Sequence, residues 1–109
     1  MSKLTVYLAG PMSSKPDKNK PLFDSATACL RELGYDVISP AELDIKDTAS
    51  QNWNDFMVRD IPHVLKCDVV VLLTEWYKSR GTLLEVNIAG NLGKPIFTLD
   101  QILGVHLQK

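Results

Sequence analysis

"CDVVVLL", residues 67–73, is the stretch of this sequence that decides its fold. Three valines and two leucines follow one another without a polar residue, so a strand formed by them is apolar on both faces. Such a run is typical of a central strand in a parallel sheet, because helices cover both faces of that kind of sheet. We therefore expect this segment to be the central strand of an α/β domain.

Strands and helices alternate on either side of this segment. Further strands are predicted where β-rich runs are bounded by glycine or proline, at residues 4–8, 35–39 and 93–99. Helices are predicted where apolar residues recur at helical spacing, at residues 22–34, 52–66 and 80–92. A kink or restart is expected at Pro62. Residues 41–51 are predicted to be a loop with at most one helical turn, and the residues after 99 a short tail.

This alternation implies βαβ units with right-handed crossovers. The predicted architecture is a Rossmann-like three-layer α/β sandwich with a four- to five-stranded parallel sheet. The whole chain, residues 1–109, is expected to form one such domain. Ligands of these folds bind at the carboxyl ends of the strands. Three segments are expected to meet at that edge, namely residues 9–13, 39–42 and 74–81.

The charges of the chain are nearly balanced, with 12 Lys and Arg against 13 Asp and Glu in 109 residues. This balance argues against broad binding to nucleic acid or to anionic membranes. The N-terminal apolar run is too short for a signal peptide and no run is long enough to span a bilayer, so a cytoplasmic location is expected. Cys29 and Cys67 are expected to be reduced core residues. Neither they nor His63 and His106 have the spacing of metal ligands, so no metal or cofactor is expected.

The helix predicted at 80–92 carries an acidic residue within its apolar stripe. Leu84, Ile88 and Leu92 share one face at helical spacing. Glu85 lies in the middle of this stripe and is predicted to point toward the sheet. An unpaired buried carboxylate is costly, so such a group usually has either a partner or a chemical task.

Both interpretations of the inward carboxylate stay open at this point. A purely structural one pairs Glu85 with Arg59 or Lys94. The functional one starts from the helix N-terminus, where Ser79 is a candidate N-cap and Gly81 leaves room for a ligand to approach the backbone. The free N–H groups of such a first turn form an anion site. Together these residues suggest that an anionic group is held there while the carboxylate acts on an adjacent centre.

Several segments carry a resemblance to a known family. They are "YLAGPM" (7–12), "GYDVISPAE" (34–42), Trp53, "MVRD" (57–60), "CDVVVLL" (67–73), Trp76, "SRGTLLE" (79–85) and "AGNLGKP" (89–95). As a set, in this order, they cover most of the chain and resemble the nucleoside 2-deoxyribosyltransferase-like superfamily, specifically a small, often phage-associated subfamily. The chain is also similar to the 2′-deoxynucleoside 5′-phosphate N-hydrolases. The resemblance implies a flavodoxin-like sheet, chemistry at an N-glycosidic bond, and a homodimer or larger homo-oligomer.

The resemblance also implies roles for individual residues. Glu85 matches the family's nucleophile at the anomeric carbon, and Tyr7 matches the tyrosine whose hydroxyl orients that carboxylate. Asp60 matches an aspartate that contacts sugar or base and assists protonation of the leaving base. Ser79 and Gly81 match the 5′-phosphate site of the nucleotide-cleaving members. Retaining glycosidases likewise use two carboxyl groups, one as the nucleophile and one that assists protonation of the leaving group.

Loop residues complete the predicted substrate site. The first loop contributes Gly10, Pro11 and Met12, and Trp76 is a candidate for lining the pocket because aromatic faces suit nucleobases. Trp53 is predicted to be a core or interface residue. The arginine that the N-hydrolases use for phosphate in the first loop is absent. Its place could be taken by a lysine of that loop, or those lysines could simply be solvated: Lys15, Lys18 and Lys20.

Three functions from different classes follow. The first is an enzyme that cleaves or transfers at the N-glycosidic bond of a nucleoside or nucleoside 5′-monophosphate. The second is a nucleotide-binding or sensing module that uses the same pocket without turnover. The third is a relative of NAD-cleaving α/β folds, which also use a helix glutamate. In each case the expected partner is a small molecule, a nucleoside or nucleotide, and not a nucleic acid or a membrane.

Overall fold

The structure is a computed structural model that describes residues 3–12, 15–50 and 52–107. Its four strands are β1 (Thr5–Ala9), β2 (Asp36–Ile38), β3 (Val69–Leu72) and β4 (Ile96–Thr98). Its five α-helices in the described residues are α1 (Lys20–Glu32), α2 (Pro40–Lys46), α3 (Trp53–Lys66), α4 (Arg80–Asn91) and α5 (Leu99–Leu107). Short 3-10 turns span Pro16–Asn19 and Trp76–Lys78. No helix in the described ranges has the length and apolar character needed to cross a membrane.

The four strands form one sheet in the order β2-β1-β3-β4, and every pairing is parallel. In this register Tyr7 of β1 lies opposite Val70 of β3, and Val71 lies opposite Phe97 of β4. The predicted central strand is confirmed, since β3 has a neighbour on each side. The strand order is that of flavodoxin-like sheets, in which ligands bind where the order reverses, here between β1 and β3.

Helices cover both faces of the sheet, which gives the predicted three layers. Alternate residues of a strand point to opposite faces. On one face Val6, Leu8 and Val71 pack with apolar residues of α1 and α5. On the other face Tyr7 and Val70 pack with residues of α3 and α4. The second layer therefore holds the two helices that carry the candidate site residues.

Two helices replace predicted irregular segments. The predicted loop at 41–51 begins with α2, a two-turn helix that starts at Pro40. Proline is well suited to the first helical position, where its missing N–H costs nothing, so the proline expected to close the second strand instead opens a helix. The predicted C-terminal tail forms α5, which buries Ile102 against the sheet. Of the kink or restart expected at Pro62, the restart was wrong, because α3 continues through this residue.

The buried residues of two helices differ from those predicted. In α1 the buried face consists of Phe23, Ala26, Thr27 and Leu30. Cys29 is exposed, so its predicted place in the core was wrong, whereas Cys67 is buried as expected. In α4 the buried face is not the leucine stripe: it consists of Gly81, Thr82, Glu85 and Ala89, and Leu92 is 53% exposed. The inward direction predicted for Glu85 is confirmed.

Gly10 makes the closest approach between the first loop and β3. A Cβ at this position would lie 2.9 Å from Cβ of Leu73, close to the backbone, where no side-chain rotation relieves the contact. We expect Gly10→Ala to lower the free energy of unfolding by about 1–3 kcal/mol in urea denaturation. Gly90→Ala is the matched control, since a Cβ there meets nothing within 4 Å and alanine favours a helix. Equal stability of the two variants would contradict the close packing of this loop.

Candidate active site

A cavity of about 330 Å³ opens at the carboxyl ends of β1 and β3. Its walls come from the first loop, the start of α2, one face of α3 and the first turns of α4. Of the residues predicted for the site, eight line this cavity: Tyr7, Gly10, Pro11, Met12, Asp60, Ser79, Gly81 and Glu85. The structure thus brings together residues that are up to 78 positions apart in the sequence.

The Tyr7 hydroxyl donates a hydrogen bond to Oε2 of Glu85 at 2.5 Å. Tyr7 is fully buried in β1, and Glu85 of α4 is only 4% exposed. Tyr7 can reach Glu85 because alternate residues of a strand point to opposite faces of the sheet, and Tyr7 points to the face that α3 and α4 cover. Neither of the structural partners considered for Glu85 takes this place, since Nζ of Lys94 donates to the carbonyl oxygen of Cys67 instead.

Burial disfavours the charged form of Glu85 and raises its pKa to about 8. The hydrogen bond from Tyr7 acts in the opposite direction, because it favours the carboxylate. The nearby Asp60 carboxylate adds a smaller upward contribution. Burial also raises the pKa of Tyr7 well above its ordinary value, so the phenol keeps its proton and remains a donor. At neutral pH the free site therefore holds Glu85 mostly as the acid.

Arg59 holds the second carboxylate of the cavity. Its Nε donates to Oδ1 of Asp60 at 2.6 Å, and a terminal nitrogen donates to Oδ2 at 3.2 Å. The other terminal nitrogen donates to Asp44 at 2.6 Å and to Asp47 at 3.2 Å. Burial raises the pKa of Asp60, and the Arg59 guanidinium opposes that rise. Sequence reasoning had considered Arg59 only as a partner of Glu85, so its actual role was missed.

One face of α3 forms a whole wall of the cavity. Trp53, Phe56, Met57 and Asp60 all line it. They stand at positions i, i+3, i+4 and i+7, which share a helix face. That spacing was visible in the sequence and could have marked the face. Trp53 had instead been predicted as a core or interface residue.

The first turn of α4 closes the cavity opposite this wall. Ser79 is the N-cap, as predicted, and its Oγ accepts a hydrogen bond from the Thr82 N–H at 3.2 Å. Gly81 leaves a gap that a side chain would fill, because a Cβ there would lie 3.0 Å from Cε of Met57. A Cβ would also lie 3.5 Å from Nε1 of Trp53, which is buried and has no hydrogen-bond partner among the residues that the structure describes.

Trp76 does not reach the cavity formed by the described residues. It packs against the buried cluster that contains Tyr7 and Val70, and its ring meets that of Tyr77 edge-on. The prediction that Trp76 lines the pocket therefore has no support in the geometry, and the pocket's indole is that of Trp53. The short 3-10 turn Trp76–Lys78 turns the ring back onto the sheet, which the sequence did not indicate.

The three lysines of the first loop have different surroundings. Nζ of Lys15 pairs with Glu75 at 2.8 Å, and Lys20 pairs with Asp24 one turn along α1. Lys18 lines the cavity, where its Nζ lies 5.8 Å from the ring centroid of Phe56. Within the described part of the chain, no three His, Cys, Asp or Glu residues are grouped as metal ligands would be.

Comparison with known proteins assigns this chain to a family. A family profile described as "Domain of unknown function (DUF4406)" matches residues 4–98. No protein with a curated description matches the chain significantly.

Two solved structures are similar in fold. One is a 2-desoxiribosyltransferase from Leishmania mexicana, with a TM-score of 0.67 and 22% identity over 87% of this chain. The other is a 2-deoxyribosyltransferase from the psychrotolerant bacterium Bacillus psychrosaccharolyticus, with a TM-score of 0.69 and 24% identity over 86% of this chain. This chain spans 63% of the first protein and 70% of the second. The chain therefore belongs to the DUF4406 family and has a nucleoside 2-deoxyribosyltransferase-like fold.

Proposed function

We propose that this protein cleaves or transfers at the N-glycosidic bond of a nucleoside or nucleoside 5′-monophosphate, with Glu85 as nucleophile. The observation that carries the proposal is the buried hydrogen bond between Tyr7 and Glu85 on the wall of a cavity that Asp60 also lines. A phenol that donates to one carboxylate oxygen fixes the carboxyl group and leaves the other oxygen free to react. The activity named for the two structural neighbours agrees with this assignment.

In the first step Oε1 of ionised Glu85 attacks C1′ of the sugar. The C1′–O bond forms as the C1′–N bond breaks, and the electron pair of the broken bond leaves with the base. Asp60, whose two oxygens both accept hydrogen bonds from Arg59, stays ionised and contacts the sugar or the base, and the leaving nitrogen takes its proton from water. Positive charge that develops on the sugar is stabilised by the Glu85 carboxylate, and the Tyr7 hydroxyl stabilises that carboxylate in turn.

In the second step an acceptor attacks C1′ and the ester bond to Glu85 breaks. Water as acceptor gives hydrolysis, and a ring nitrogen of a second base gives transfer. The proton that the acceptor loses passes to water, which balances the proton taken up by the leaving base. Glu85 leaves as the carboxylate that its hydrogen bond from Tyr7 stabilises.

The experiment is to incubate the protein with a panel of ribonucleosides, 2′-deoxynucleosides and their 5′-monophosphates, with and without a second base, and to follow free base by chromatography. Release of base from at least one compound supports the proposal. Release of nicotinamide from NAD, with none from the panel, would support the NAD-cleaving alternative instead. Gly90→Ala serves as the control protein, because it changes only the exposed side of α4.

The pH dependence of this activity follows from the protonation of Glu85. The nucleophile must be ionised, and burial raises its pKa to about 8 in the free protein. We expect kcat/KM to rise about tenfold per pH unit below that value and to level off above it. Tyr7→Phe removes the hydrogen bond that favours the carboxylate, so its acid limb should move to higher pH. A wild-type profile that is flat between about pH 6 and pH 9 would contradict the assignment of Glu85.

A second function would use the same cavity without a reaction. At neutral pH the free site holds a mostly uncharged Glu85, which is able to donate a hydrogen bond to a ligand rather than to react with it. A binding module without turnover is therefore the alternative. Calorimetric binding of compounds from the same panel, with no release of base at about pH 9, would favour this alternative.

A further inference from the structure

Asp44 carries an unpaired carboxylate oxygen at the wall of the cavity. It belongs to α2, lines the cavity together with Pro40, and its side chain is 16% exposed. Its Oδ1 accepts a hydrogen bond from Arg59 at 2.6 Å. Its Oδ2 accepts none from the residues that the structure describes, and this atom is not buried. The free oxygen is therefore able to accept a hydrogen bond from a ligand.

The charges around this carboxylate are unbalanced. Arg59 is shared by three carboxylates, those of Asp44, Asp47 and Asp60. In the described part of the chain no other basic group lies within ion-pair distance of any of them. One positive charge thus faces three negative ones. This end of the cavity favours a ligand group that donates hydrogen bonds and disfavours a carbonyl oxygen.

Arg59 fixes the position of Asp44 relative to the reacting centre. Its Nε holds Asp60, whose charge is close enough to act on Glu85. A terminal nitrogen of the same guanidinium holds Asp44. The guanidinium carbon lies 5.2 Å from the ring centroid of Phe56, a contact that keeps the planar group in place. Asp44 and Asp60 are therefore held in a fixed relation to each other, with Asp60 at the end that acts on Glu85.

The direction of the proposed reaction decides which part of the base faces Asp44. In a displacement at C1′ the nucleophile and the leaving base lie on opposite faces of that carbon. Glu85 approaches from α4, so the base extends toward the walls that α2 and α3 form. C4 of a pyrimidine lies across the ring from the glycosidic nitrogen, and C6 of a purine lies in the ring that points away from the sugar. The exocyclic group at this carbon is thus the part of the base that extends toward Asp44.

We propose that Asp44 selects bases with an exocyclic amino group at this carbon, cytosine and adenine, over the matching carbonyl bases, uracil and hypoxanthine. The amino group donates to the free Oδ2, in the way that Asp and Glu accept from N4 of cytosine when proteins read nucleic acids. A carbonyl oxygen in its place would face a carboxylate with no proton between them. The position of the base rests on the proposed function, whereas the choice among bases rests on the charges around Arg59.

The test uses two matched pairs, 2′-deoxycytidine with 2′-deoxyuridine and 2′-deoxyadenosine with 2′-deoxyinosine, each as the nucleoside and as the 5′-monophosphate. For the wild type we expect kcat/KM to be at least about tenfold higher with the amino member of a pair, the effect of one hydrogen bond to a charged group. Asp44→Asn should reverse this preference. Its amide oxygen keeps the hydrogen bond from Arg59, and its amide nitrogen then offers the base a donor in place of an acceptor.

Asp47→Asn is the matched control. Asp47 accepts from the same nitrogen of Arg59 at 3.2 Å but does not line the cavity. The substitution removes an equal charge from the cluster without changing the group that meets the base. The ratio of kcat/KM between the members of a pair should therefore stay at its wild-type value.

The outcomes separate this proposal from the proposed function. Base release without a preference for the amino members, or an equal loss of preference in Asp44→Asn and Asp47→Asn, would overturn the role of Asp44 and leave the glycosidic chemistry intact. If no base is released, calorimetry with the same compounds decides. Amino members that bind the wild type at least about tenfold more tightly support the role of Asp44 without the reaction. Binding without this preference, or no binding at all, would overturn it. The wild-type comparison decides even where a variant fails to fold.

Discussion

Glu85→Gln is expected to reduce base release by at least about 10³-fold, the order of magnitude that loss of a nucleophile costs other enzymes. Glutamine has nearly the same shape as glutamate, and its amide oxygen still accepts the hydrogen bond from Tyr7. The cavity and the packing of α4 therefore remain, and only the nucleophile is lost. Chromatographic measurement of free base at about pH 9, where wild-type Glu85 is ionised, gives the comparison its widest range.

The same variant should be more stable than the wild type at alkaline pH. The pKa of Glu85 rises from an ordinary value of 4.5 to about 8 on folding, so between these values the folded chain binds the additional proton. That contribution to stability is complete below the unfolded pKa and is lost as the pH rises through the folded one. Each pKa unit of difference is worth about 1.4 kcal/mol. Urea denaturation at about pH 5 and pH 9 should show the wild type weakening relative to Glu85→Gln.

A glutamine variant that still releases base at close to the wild-type rate would contradict the chemical role of Glu85. Loss of folding in this variant would instead contradict the assignment of an uncharged, well-packed carboxyl at position 85. Circular dichroism and the urea midpoint distinguish these two results from the expected one, in which activity is lost and the fold is kept.

Arg59→Leu has the second large expected effect. Arg59 is 15% exposed and is the shared partner of Asp44, Asp47 and Asp60, so its removal leaves partly buried carboxylates without a counter-charge. Loss of one partner from a buried ion pair costs about 3–5 kcal/mol. We expect a loss of that size in the free energy of unfolding at neutral pH. Base release should fall as well, because Asp60 loses the hydrogen bonds to both of its oxygens.

The control for this variant is Lys20→Gln. It breaks the pair with Asp24, in which both side chains are 41% exposed, and such surface pairs contribute little to stability. In Arg59→Leu the pKa of Asp60 rises further, so the variant should regain part of its stability as the pH falls and the carboxyl takes up a proton. A loss no larger than that of Lys20→Gln would contradict the role assigned to this ion-pair cluster.

The sheet could be predicted from the sequence because its signals are local. The apolar run 67–73 and the glycine or proline at the strand ends indicate parallel strands before any tertiary contact is known. The inward direction of Glu85 was predicted from helical spacing, although Leu92 of the apolar stripe used for that prediction is exposed. The roles of Tyr7 and Asp60, in contrast, came from a family resemblance, since nothing local links a residue of β1 to residues of α3 and α4.

What the sequence did not reveal depends on contacts between distant segments. Arg59 reaches Asp44 and Asp47 because the chain after β2 folds back over α3. The helix that begins at Pro40 could not be recognised, because a proline can either close a strand or open a helix. The predicted positions of Trp53 and Trp76 were wrong for a similar reason. Trp53 lines the cavity, whereas Trp76 packs against the buried cluster of the sheet. Helical spacing puts Trp53 on the face of Asp60, whereas the direction of the Trp76 ring is decided by a short 3-10 turn.

The most direct test of the central claim is to look for the sugar on Glu85. The protein is mixed with a substrate found in the panel, the reaction is stopped with acid within the first turnover, and peptides are analysed by mass spectrometry. The account predicts that the peptide containing Glu85 gains the mass of the sugar moiety, in an amount that matches the first burst of free base. A burst of base with Glu85 unmodified, or a sugar attached to another residue, would contradict it.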